Sequence, residues 1–138
     1  TRPIVDHDLA FENDIRIYRL NNMSDFIYGA HNSASAGTMR DIVNRIIKDD
    51  SKARARLIEL WTSYRTDIFT ERSLIQYIDQ TARMLDQSQE LNFKRWKILN
   101  QKVHQNIQAK GSYEAEVEVV KNYLRERLPK MDALVNNK

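Results

Sequence analysis

Apolar residues recur at three- and four-residue steps through the middle of this chain. Leu57, Leu60, Trp61, Tyr64 and Ile68 form one stripe, while Arg54, Arg56, Glu59, Arg65 and Asp67 fill the other faces, which is the period of an amphipathic helix. Leu74, Ile78, Ala82 and Leu85 keep the same step, with Ile75 widening the stripe. Thr70 stands between the two runs, where its hydroxyl is placed to accept from the first amides of the following helix. So short a break predicts a helical hairpin over Ser51 to Trp96 whose apolar stripes face each other.

The flanks attach to that hairpin. Ile42, Val43, Ile46 and Ile47 predict a preceding helix capped near Thr38, and Asp49-Asp50-Ser51 ends it and caps the next. Phe93 and Trp96, three apart, read as plugs at the hairpin end; their alternation with Lys94 and Arg95 is also compatible with stacking on bases, but no second aromatic-basic run accompanies it. Residues 97–111 read as helix end and loop. A last helix starts at the cap Ser112, with Glu114 and Glu116 favouring its positive end and Tyr113, Val117, Val120, Leu124 and Leu128 as its stripe, continued by Met131 and Val135. Pro129 falls inside that stripe, and its missing amide hydrogen predicts a kink or a division near Leu128. Strand character is confined to the beginning, where Pro3-Ile4-Val5 is a short β-favouring run and 15–20 alternates in part. Residues 21–37, rich in Asn, Ser and Gly without a hydrophobic period, read as a flexible connection.

Composition narrows the class. At 138 residues with three Gly and two Pro, the chain suits one mainly α domain. Its 22 basic and 19 acidic residues leave a net charge of +3, and the signs alternate along the helices as solvated faces do, so a nucleic-acid partner is not expected. The absence of cysteine excludes disulfides and thiolate chemistry. No window approaches about 18 uninterrupted apolar residues, so no membrane-spanning helix is expected. The chain does not begin with Met and strand character starts almost at once, which suggests a piece of a longer protein.

Candidate chemistry is concentrated in Asp6-His7-Asp8. Two carboxylates one residue apart after a strand can offer oxygens to a hard cation such as Mg²⁺, but the spacing alone is a weak signal, since such pairs are common as turn formers and caps whose side chains bond amides ahead of them. His7, His31 and His104 have no partner at ligand spacing. Gly29 and Gly37 lack the Lys-Ser or Lys-Thr that a phosphate-binding loop needs.

Taken in order, Asp6-His7-Asp8-Leu9-Ala10-Phe11, Trp61 with Arg65, Ile78-Asp79, Asn92-Phe93-Lys94-Arg95-Trp96, Ser112 to Val117 and Leu124 to Asp132 resemble the C-terminal part of the spore-coat protein H (CotH) family over almost the whole chain. The resemblance implies the helical C-terminal portion of a kinase-like lobe with a short N-terminal β element, spanning 1–138 as a partial domain. It further implies a parent protein that uses ATP and Mg²⁺ or Mn²⁺ to phosphorylate protein hydroxyls in a secreted, cell-surface or spore-coat setting. By position in the family's acidic motif, Asp6 is the metal ligand and Asp8 a second or supporting carboxylate. Val5 stands where the family has Trp, and Glu12 where it has Gly before Asn13, which adds a side chain and removes backbone freedom beside that motif. The nucleotide-contacting Lys and the catalytic Asp of such a kinase are expected before Thr1, in a missing N-terminal part with which this piece would associate, so the piece alone is expected to be inactive. The alternative is a noncatalytic helical module for protein binding or adhesion, in which the Asp pair merely ends a strand. On the family reading, a face of the hairpin or of its neighbours should be unusually apolar, because the missing lobe covers it in the whole protein.

Overall fold

A computed structural model describes residues 11, 13–15 and 34–137. The expected β element, Asp6, Asp8 and most of the 21–37 connection lie outside the described residues, among which no strand occurs. Five helices follow in order among the described residues: α1 Ala34–Asp49, α2 Ser51–Thr66, α3 Glu71–Met84, α4 Asp86–Arg95 and α5 Tyr113–Asn136. The mainly helical class is therefore as the apolar periodicity requires.

The helix starts follow from local hydrogen bonding. Asp50 separates α1 from α2, and its carboxylate accepts from the amides of Lys52 and Ala53 at 2.9 and 3.0 Å, satisfying two donors that a helix start leaves open. Thr70 does the same for α3, its hydroxyl accepting from the Ser73 amide at 3.0 Å. Ser112 caps α5 through the Ala115 amide at 3.1 Å, and Glu116 reaches back to the Lys110 amide at 2.7 Å. Just before that cap, Gly111 adopts φ +90°, which a Cβ would strain, while its amide donates to the Leu99 carbonyl at 3.0 Å.

Four expectations need correction. α1 begins at Ala34, so Thr38 lies inside it and is not its cap. The second half of the hairpin divides at Leu85, where ψ near 0° interrupts the regular backbone although the Leu85 amide still reaches the Thr81 carbonyl at 3.0 Å. Pro129 does not divide α5, which runs through it for 24 residues; the proline is exposed, and losing one donor on a solvated face is tolerated when the flanking turns are held by packing. Trp96 is no plug: it ends α4 with 56% of its surface exposed and the Arg95 guanidinium 5.2 Å from its ring centroid.

The described residues fall into two compact units, one holding Phe11, 13–15 and 77–124, the other 34–76 and 125–137. Helices α3 and α5 supply residues to both. In the second unit lie Leu128 and Val135, 6% and 1% exposed, the fully buried hydrophobic residues among those described. In the first unit the fully buried residue is polar, Asp14, at 2%.

Candidate functional site

The second unit contains a closed ion-pair cluster. One turn apart on α2, Trp61 and Arg65 point the same way and meet Asp132 on α5. Arg65 donates from Nε to Oδ1 at 2.8 Å and from Nη2 to Oδ2 at 3.0 Å, a forked pair, and the Trp61 indole donates to Oδ1 at 2.8 Å. The third arm of the guanidinium, Nη1, donates to the Phe69 carbonyl at 2.6 Å. Phe69 in turn lies against Trp61 and Tyr64, with ring centroids 6.0 and 5.5 Å away. So Trp61 and Arg65 find partners in the α2–α3 connection and in α5. The hydrogen bonds from Arg65, aided by that from Trp61, hold the Asp132 carboxyl below its ordinary range even though partial burial opposes this. Arg65 is correspondingly held charged by Asp132. Every strong donor in this cluster is engaged, so its chemistry is structural.

The first unit contains an open recess of about 350 Å³ between α3 and α5. Ala82 and Val117 line it with apolar surface, and Tyr113 forms a wall, its hydroxyl donating to the Ala82 carbonyl at 3.3 Å. Phe93 supports Tyr113 from behind, with centroids 6.5 Å apart, which gives Phe93 the packing role expected of it. Lys121 spans the recess, 2.6 Å from Asp79 and 3.3 Å from Glu118. Hydrogen bonding to Asp79 foremost raises the Lys121 pKa, against a smaller desolvation effect. Arg83, Asp86 and Glu114 complete the lining, so four carboxylates face two cations. Such a lining favours a cationic over an anionic guest. Among the described residues its lining holds neither a histidine nor a hydroxyl nucleophile paired to a base.

A short N-terminal segment completes the first unit. The Phe11 ring meets that of Tyr123 on α5 edge-on, centroids 5.3 Å apart and planes at 78°. The Ile15 amide donates to the Gln105 carbonyl at 2.9 Å.

Of the residues expected to carry chemistry, Asp6 and Asp8 lie outside those described, so the structure brings neither to a site. Among the described residues no three His, Asp or Glu side chains are grouped to hold a metal ion. His104 is an exposed loop residue. The roles of Asp132 and Phe69 were missed by sequence reasoning. Asp132 is a sequence distance of 67 from Arg65, and nothing local marks the pair; Phe69 sits in the turn, off the helical stripes, where only its size distinguished it.

No helix among the described residues is long and apolar enough to cross a membrane. Neither a curated protein nor a solved structure matches the chain. A family match does exist, to the family described as CotH kinase protein, and it covers residues 3–131, from the start of the acidic motif's segment to the residue before Asp132. The chain belongs to the CotH kinase protein family.

Proposed function

We propose that this chain is the C-terminal portion of a CotH-type atypical protein kinase, which in its complete form transfers a phosphoryl group from ATP to a protein hydroxyl. The family match over 3–131, which includes Asp6-His7-Asp8 and the helices after it, is the observation that supports this reading. A divalent cation, Mg²⁺ or Mn²⁺, supplies neutralisation of phosphate charge when bound. Asp6 is the carboxylate that holds it, and Asp8 supports Asp6. The setting is secreted, cell-surface or spore-coat.

The test is made on the full-length protein, by Mg²⁺-dependent ATP binding and by phosphate incorporation into protein. Asp6→Ala is expected to lower incorporation at least about 100-fold. Full activity in Asp6→Ala would remove the metal assignment; absence of both ATP binding and incorporation in the unaltered protein would remove the kinase reading. A second reading, a noncatalytic module for protein binding, draws support from the large exposed side chains Tyr77, Met84 and Leu91 in the first unit. It predicts partner binding unaffected by removal of ATP and divalent metal.

A further inference from the structure

The recess in the first unit has two charged ends, and they are filled differently. Lys121 meets Asp79 at one end, and the Tyr113 hydroxyl meets the Ala82 carbonyl further along, so the sequence rises on α3 as it falls on α5. Beyond that contact Asp86, at the start of α4, and Glu114, at the start of α5, line the same recess. At the first end one ammonium, Lys121 Nζ, serves two carboxylates, Asp79 at 2.6 Å and Glu118 at 3.3 Å. The far end repeats the two carboxylates without the ammonium. Asp86 accepts there from the Gln89 side-chain amide at 3.2 Å, a neutral donor on its own helix, and among the described residues neither Asp86 nor Glu114 is in an ion pair. Arg83 lines the recess too, exposed and paired with neither, so four carboxylates against two cations leave a surplus of two negative charges.

Between the ends the lining is apolar, supplied by Ala82, Val117 and the Tyr113 ring. Each acid stands in the first turn of its helix, where the dipole favours it. The dipole does not explain why acids of two different helices share one end of a cavity with an apolar floor. A guest with a cation at its tip and an aliphatic stem matches both surfaces. About 350 Å³ is at the small end of ligand cavities, which suits one side chain better than an extended ligand. Because the recess is open, such a stem can stay joined to a backbone outside it.

We propose that this recess binds a basic side chain, lysine or arginine, of a protein segment. Its cation sits against Asp86 and Glu114 as Lys121 sits against Asp79 and Glu118, and its stem lies on Ala82, Val117 and the Tyr113 ring. The site depends neither on phosphoryl transfer nor on a metal at Asp6 and Asp8.

The experiment is a titration of the full-length protein, labelled at alanine and valine methyls, with the blocked tripeptide Ala-Lys-Ala, followed by NMR. The Ala82 and Val117 methyls should shift to saturation with a dissociation constant of about 1–10 mM, while those of Val135 in the other unit stay in place. Ala-norleucine-Ala keeps the stem without the ammonium and should bind at least about 5-fold more weakly, and raising salt from about 50 to about 500 mM should weaken Ala-Lys-Ala about 2- to 4-fold. Asp86→Asn and Glu114→Gln, both at exposed positions, should each weaken it about 2- to 5-fold without moving the Val135 methyls. No saturable shift at Ala82 and Val117 up to about 100 mM, norleucine binding as tight as lysine, or unchanged binding in the double variant overturns the site. Butylammonium binding as tightly as the tripeptide assigns the recess to a free amine and overturns the protein segment as its occupant.

Discussion

Two ion pairs on the same helix, α5, show how differently the two units are built. Asp132 is gripped by a forked guanidinium and an indole N–H, and the cluster lies in the unit that holds Leu128 and Val135, so charge and core reinforce each other. Lys121 is paired no less closely, yet its unit has no fully buried hydrophobic residue among those described, and the pair lines an open recess. The difference lies in what surrounds the charges. The two pairs are about equally exposed, 25% and 35% for Arg65 and Asp132 against 17% and 37% for Lys121 and Asp79, so what separates them is the forked guanidinium and indole donors beside buried apolar residues in one case and a single ammonium shared between two carboxylates at a recess in the other. The second unit is thus the held part, and the first is the part with surface to offer.

That contrast can be broken by substitution. Leu128→Ala should cost about 2–4 kcal/mol in urea unfolding, because a buried leucine leaves both lost transfer energy and a cavity. Val117→Ala, on the half-buried recess floor, should cost under about 1 kcal/mol. Equal losses at the two sites would erase the distinction. Next in size is Asp132→Asn, which keeps the shape and removes the charge; after discounting for a side chain about one-third exposed, a loss of about 1–2 kcal/mol is expected. Its pH dependence sharpens the point. The Asp132 carboxyl is lowered in the folded chain, so its contribution is complete above the ordinary aspartate range, near pH 4, and is lost as pH falls through the lowered value. Asp132→Asn should flatten that acid limb of a melting-temperature profile. Lys121→Met should have the smallest effect, a lower melting temperature by less than Asp132→Asn produces. The Lys121 pKa is raised, so its contribution persists below about pH 10.5 and fades only as pH rises through the raised value. A melting loss at Lys121 exceeding that at Asp132 would reverse the ranking of the two units.

Helices α2 and α3 were legible because their stripes are long and strongly periodic, and the caps Asp50, Thr70 and Ser112 because a short polar side chain before an apolar run has few other roles. The start of α1 was not, since Ala34 to Gly37 carries no apolar period to distinguish helix from connection. The break at Leu85 escaped notice because it preserves the apolar stripe and disturbs only the backbone. Periodicity states which face is buried, never what buries it, and the partner of Trp61 and Arg65 is a lone aspartate in the last two turns of the chain. The Phe11–Tyr123 contact needed coordinates, because the left-handed backbone at Phe11 has no sequence signature.

Pro129 has a consequence for cooperativity. Without its amide hydrogen, the backbone ladder of α5 loses the bond that would close on the Arg125 carbonyl, so 130–136 is coupled to the rest of the helix less tightly than its neighbours are. A piece that short does not persist as helix in water by propensity alone. It is held by what its side chains reach, Val135 in the core and Asp132 on Arg65 and Trp61. When those contacts let go, the final turns and the grip on α2 should dissolve in one step, so the chain's last turns and α2 form one unit of unfolding although some 65 residues of sequence separate them.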